Sequence, residues 1–175
     1  MTLSPRLRKV ALTAHIAVSV GVLGAIASFL ALVLSGLRAE DAAALSATYQ
    51  AAALLTWYVV IPLIFTSLLT GVVSSLGTPW GLFQYYWVMA KIALTTLATI
   101  VLLLQLRLID YMASKTATGF LLSEDLRGAK FALVVHAAGG LLVLVLVTIL
   151  SVYKPRGMTM YGQNKMRDQQ AAGRQ

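Results

Sequence analysis

The sequence contains no cysteine. Disulfides, thiolate metal sites and iron–sulfur clusters are therefore excluded. Charge is scarce as well. Of the 175 residues, 11% are charged, against roughly 25% in soluble domains. Histidine occurs only at His15 and His136. No G-x-x-x-x-G-K-[ST] phosphate loop, H-E-x-x-H zinc motif or G-x-S-x-G nucleophile elbow is present, so the familiar enzyme templates fail and a non-enzyme is the expectation. Nucleic-acid motifs are absent too. The pI near 10.1 then reflects charge sorted across a bilayer, with no nucleic-acid partner expected.

What is abundant is apolar surface: 59% of residues are hydrophobic and the mean hydropathy is +0.81. A membrane span needs about 20 mostly apolar residues. Four stretches qualify, at about 10–35, 51–76, 87–106 and 131–153. The first follows "SPRLRK" but is longer than a signal-peptide core of about 7–15 residues, and "LRAED" offers no small-x-small cleavage site. It is expected to be a retained span. The predicted fold is all-α, a four-transmembrane-helix up-down bundle over 1–153, followed by a basic tail at 154–175. Proline 155 breaks the last helix, and the tail is expected to lie on the anionic inner leaflet or to be disordered.

Basic residues fix the expected orientation. Arg6, Arg8 and Lys9 precede the first span; Lys154, Arg156, Lys165, Arg167 and Arg174 follow the last, against one acid, Asp168. The other side is nearly neutral. Positive-inside sorting places both termini in the cytoplasm of a cell inner (plasma) membrane. Trp80, Tyr85, Tyr86, Trp87 and Tyr153 mark the inner interface, and Trp57, Tyr58, Tyr111 and Phe131 the outer one. On this scale Ala42–Thr56 is an Ala-rich helical extension reaching outward. "SEDL" opens the last helix with Ser123 as N-cap. Pro62 lies inside span two and should kink it near Tyr58.

Small residues predict where helices meet: Gly21, Ala25 and Ser28 in span one; Ser67, Gly71 and Ser74 in span two, beside Thr66 and Thr70; Gly139 and Gly140 in span four. The same seams would serve a homodimer or a partner membrane subunit.

Three ionisable side chains fall inside spans, and each is a candidate site: His15, Lys91 and His136. No Asp or Glu does, which argues against a cation-coupled transporter working through one chain. An oligomeric transporter component stays open. Lys91, Thr95 and Thr99 follow one another at i, i+4 and i+8, a polar stripe that, facing protein, suits an anionic head group, a quinone carbonyl or a propionate. Against this stands snorkelling, in which the ammonium reaches back to the interface. His15 has Ser19 one turn on as a candidate partner and is otherwise a neutral histidine satisfied by a neighbouring helix. His136 precedes Gly139 and Gly140, which make room for a flat ligand or simply for packing. No cofactor is predicted outright; haem b, held by histidines on facing helices, is the alternative. The two histidines belong at different depths, about 9 Å and about 25 Å from the inner interface at the helical rise, so one chain is not expected to hold one ligand between them.

"LRKVALTAHIAVSVGVLGA", "SLGTPWGLFQYYWVMAK" and "HAAGGLLVLVLVTILSVYKPRGMTMYG" resemble a family of small four-span bacterial proteins of the actinobacterial type, predicted integral membrane proteins of undefined activity. The resemblance supports the fold and implies that His15, Trp80, Lys91 and His136 are worth testing. The sequence thus predicts a membrane module binding a lipid-like ligand (His15, Lys91, Thr95, Trp80) or a partner subunit, with electron transfer through haem or quinone as the alternative.

Overall fold

A computed structural model describes residues 4–77, 82–118, 124–155 and 157–172. Trp80 and Ser123, singled out above, lie outside the described residues. Helix α1 spans Pro5–Arg38. Pro5 occupies its first turn, where its missing N–H costs nothing, and the Ser4 hydroxyl accepts the Leu7 N–H at 3.5 Å. After a two-residue break Asp41 caps α2, Ala42–Leu55; its carboxylate accepts the N–H groups of Ala43 and Ala44 at 3.3 and 3.1 Å.

The helix then continues through a π-helical turn, Thr56–Val60, into α3, Ile61–Leu76. Here the expected simple kink at Tyr58 is replaced by something more specific. Pro62 has no N–H to offer the Tyr58 carbonyl, and its ring would crowd that group. Widening the turn before it relieves the clash, and the Ile61 N–H bonds back five residues to Thr56. Thr56 itself is buried and returns its hydroxyl to the Ala52 carbonyl at 2.8 Å.

Helices α4, Tyr86–Ala117, and α5, Glu124–Tyr153, complete the bundle, and α6, Met160–Ala172, lies beyond it. Four segments are long and apolar enough to cross a membrane: Pro5–Arg38, Ala42–Leu76, Tyr86–Ala117 and Leu126–Tyr153. They overshoot the apolar runs read from sequence. At 1.5 Å per residue α4 is about 48 Å long, well beyond a hydrocarbon core of about 30 Å. The surplus is mostly at the end away from the chain termini, termed the far end here; the other is the tail end.

The spans form a ring in chain order. Helix α1 packs on α2 and α3 and on α5; α4 packs on α5 and on α2, and touches α3 far less. The far half carries the larger core: Phe29, Val33, Leu45, Tyr49, Ala52, Ile109, Met112, Leu126, Leu133 and Ala137. A smaller cluster of Val22, Ala25, Ile26, Val60 and Ile64 sits at mid-depth. Toward the tail end full burial nearly stops. No described residue of α1 before Val22, or of α5 after Ala137, is buried.

Candidate functional site

The tail half of the bundle is polar where the far half is oily. Along the α1–α3 seam, His15 Nδ1 meets the Thr70 hydroxyl at 3.2 Å, Ser19 meets Ser67 at 3.2 Å, and the Ser74 hydroxyl donates to the Ala11 carbonyl at 3.4 Å. The seam is close because Gly71 faces the imidazole: a Cβ there would stand 3.1 Å from His15 Cε1. The Ser67, Gly71 and Ser74 spacing therefore marks a true helix contact. His15 is satisfied by the neighbouring helix through Thr70, and Ser19 pairs across the seam instead of with His15.

Across from this seam is α4. Lys91 and Thr95 are half-buried and Thr99 is buried, so the stripe faces protein. Its hydroxyls are spent on their own helix: Thr95 donates to the Lys91 carbonyl and Thr99 to the Thr95 carbonyl, each at 2.8 Å. That leaves the Lys91 ammonium as the group able to act on a ligand. It lies over the buried Trp87 ring, 5.5 Å from its centroid. Trp87 is one turn nearer the tail end, so the side chain bends toward the interface as a snorkelling lysine does, yet within the protein.

The tail, for which the sequence suggested a place on the inner leaflet or disorder, is helical over Met160–Ala172. Residues 157–159 pair with the loop before α4. Tyr85 and Met158 form an antiparallel bridge, the Tyr86 N–H donates to the Gly157 carbonyl at 3.3 Å, and the Thr159 N–H to the Gln84 carbonyl at 3.0 Å. The buried Thr159 hydroxyl donates to the Phe83 carbonyl at 2.6 Å and accepts the Gly162 N–H at 3.1 Å, capping α6. Gly162 is obligatory at this contact, because a Cβ would meet the Gln84 carbonyl oxygen at 2.6 Å. The tail is thus docked on the bundle at its start and helical beyond.

The second candidate site stands apart. His136 is exposed on the outer face of α5, and its Nδ1 lies 2.6 Å from the Ala132 carbonyl. A carbonyl only accepts, so Nδ1 is the donor in this contact. Gly139 is exposed, and a Cβ at Gly139 or Gly140 would meet nothing within 4 Å. The expected helix seam at Gly139 and Gly140 therefore does not form within one chain; these glycines notch the face presented to lipid. His15 and His136 lie on different faces of different helices and make no shared contact.

Two further polar groups were not singled out from sequence. The Tyr49 hydroxyl, packed on Gly36, and Gln105 Oε1 are buried with no hydrogen-bond partner among the described residues. No cluster of three or more His, Cys, Asp or Glu that could hold a metal occurs among the described residues. No protein-family model, curated protein or solved structure matches the chain.

Proposed function

We propose that this multi-pass helical protein is a non-enzymatic membrane module that holds an acidic, lipid-like ligand in the tail half of its bundle. The observation carrying this reading is Lys91, an ammonium on the protein-facing side of α4 that lies over the Trp87 ring, among hydroxyls already bonded to their own helix. Basic groups gathered at one end of a bundle attract an anion, and the polar α1–α3 seam tolerates one. The tail end is the cytoplasmic side of an inner membrane by positive-inside sorting. The kinship with small four-span bacterial membrane proteins belongs to the same proposal.

Native mass spectrometry tests the ligand. Protein released from mixed phosphatidylglycerol and phosphatidylcholine vesicles should retain phosphatidylglycerol preferentially, and Lys91→Gln should abolish the preference. Equal retention of both lipids by the wild-type protein would remove the reading. Cysteine labelling tests the orientation: Ser4→Cys should react from inside the cell and Ser114→Cys from outside, and the reverse pattern would overturn it.

A second reading rests on His136. A histidine whose Nδ1–H is held by a carbonyl presents Nε2 as a metal ligand, here beside a glycine notch on the lipid-facing surface. Two copies about a two-fold axis would bring two such bases to one depth, the arrangement that haem b requires. A Soret band lost in His136→Ala would support electron transfer; a colourless protein would reject it.

A further inference from the structure

The π turn Thr56–Val60 buries its first and last residues and leaves Trp57, Tyr58 and Val59 between them exposed. The Trp57 and Tyr58 side chains, with Ala53 and Leu54 one turn earlier, line a groove of about 380 Å³. Pro62 accounts for the widened turn. It does not account for two adjacent aromatic residues presented there, and such turns recur at functional sites. Asp110 of α4 stands beside the groove, where one carboxylate oxygen accepts the Trp57 indole N–H at 2.9 Å. A carboxylate offers about four acceptor positions. The indole bond therefore orients Asp110 and leaves it able to take another donor.

Depth and charge order identify an occupant. Arg107 precedes Asp110 by three residues, so the two share an exposed face of α4. It follows Trp87 by 20 residues, about 30 Å at the helical rise, which is the thickness of a hydrocarbon core. With Trp87 at one interface, Arg107 falls at the opposite hydrocarbon boundary, and Asp110 lies about 4.5 Å beyond it. A zwitterionic phospholipid has the matching order outward from its acyl chains, phosphate first and ammonium second. Arginine pairs with phosphate and a carboxylate with an ammonium; exposed aromatic faces add cation–π attraction. A primary ammonium also donates hydrogen bonds to the carboxylate, which a quaternary one cannot. Lys115, beyond Asp110 on α4, places its ammonium 5.7 Å from the Tyr111 ring centroid. Arg107 is thus the cation on the hydrocarbon side of Asp110.

We propose that Trp57, Tyr58, Asp110 and Arg107 form a docking site at the far end for a phospholipid whose head group carries a primary ammonium, as phosphatidylethanolamine does. The ammonium sits between the groove and Asp110, and the phosphate meets Arg107. The site lies toward the opposite end of α4 from Lys91 and is independent of the ligand reading above.

The test uses full-length protein, vesicles of phosphatidylethanolamine and phosphatidylcholine in equal parts, and native mass spectrometry. The two lipids share the phosphate and the net head-group charge; only the first has ammonium N–H donors. The wild-type protein should retain phosphatidylethanolamine about fivefold over phosphatidylcholine, the effect of one charge pair at the upper end of the exposed range. Asp110→Asn keeps an acceptor for the Trp57 indole but removes the charge, and should level the two lipids. Arg107→Gln removes a contact common to both, so retention of both should fall while their ratio stays. Tyr58→Ala, at an exposed position, should reduce the ratio while the melting temperature stays near the wild-type value. A wild-type protein that retains the two lipids equally overturns the proposal. So does an unchanged ratio in either Asp110→Asn or Tyr58→Ala. Displacement of phosphatidylethanolamine by excess soluble glycerophosphoethanolamine would overturn the lipid source.

Discussion

The two halves of the bundle are built by different rules. In the far half, large side chains from all four spans interlock: Tyr49 and Leu45 from α2, Phe29 and Val33 from α1, Ile109 and Met112 from α4, Leu126 and Leu133 from α5. In the tail half, helices meet through hydroxyls, a histidine and a glycine, and α4 stands off from α3. Within lipid there is little hydrophobic drive between helices, so close packing supplies the cohesion. The far half has it; the tail half has polar contacts in its place. Large apolar packing and polar helix contacts are thereby separated along one axis.

Mutations can break or sharpen this contrast. Met112→Ala, at a fully buried position of the far core, should lower stability by about 2–5 kcal/mol. Ile92→Ala, on the half-buried tail half of the same helix, should cost less than half as much. Chemical or thermal unfolding in detergent measures both, and equal losses would erase the distinction. Next in size is Trp57→Phe. It removes the bond from the indole N–H to Asp110 at 2.9 Å, which ties the π turn to α4, and should cost about 1 kcal/mol. Lys91→Met should stay within about 1 kcal/mol of wild type in the absence of lipid, because the ammonium bends toward the interface. A failure to insert would mean a buried anionic partner. Smallest is Tyr49→Phe. The hydroxyl has no partner among the described residues, so its removal should leave stability unchanged or slightly raised. A loss comparable to Met112→Ala would reveal a hydrogen bond to a bound group at the far end.

The spans were legible because four long apolar runs have no other use. Their true lengths were not. The far-end extensions carry Glu40, Asp41, Asp110 and alanine-rich turns, which helical geometry tolerates and hydropathy does not score. Pro62 announced a disturbance, but only backbone geometry shows that a π turn accommodates it. The small residues at 67, 71 and 74 marked a real seam, whereas Gly139 and Gly140, equally small, face outward; spacing alone does not say which face of a helix meets protein. Lys91, Thr95 and Thr99 were legible as one face because their period is that of the helix. The partnership of His15 with Thr70 and the docking of Thr159 on Phe83 join residues 55 and 76 positions apart. No local pattern carries such pairings.

Hydrogen exchange in nanodiscs tests the division of labour most directly. In phosphatidylcholine, amides of α3 and of the first turns of α4, at residues 67–76 and 86–95, should exchange faster than those of the far core around Leu45, Tyr49 and Met112. In phosphatidylglycerol, the tail-half amides should slow while the far half stays as it was. Uniform exchange along the helices, or identical profiles in the two lipids, would contradict the account.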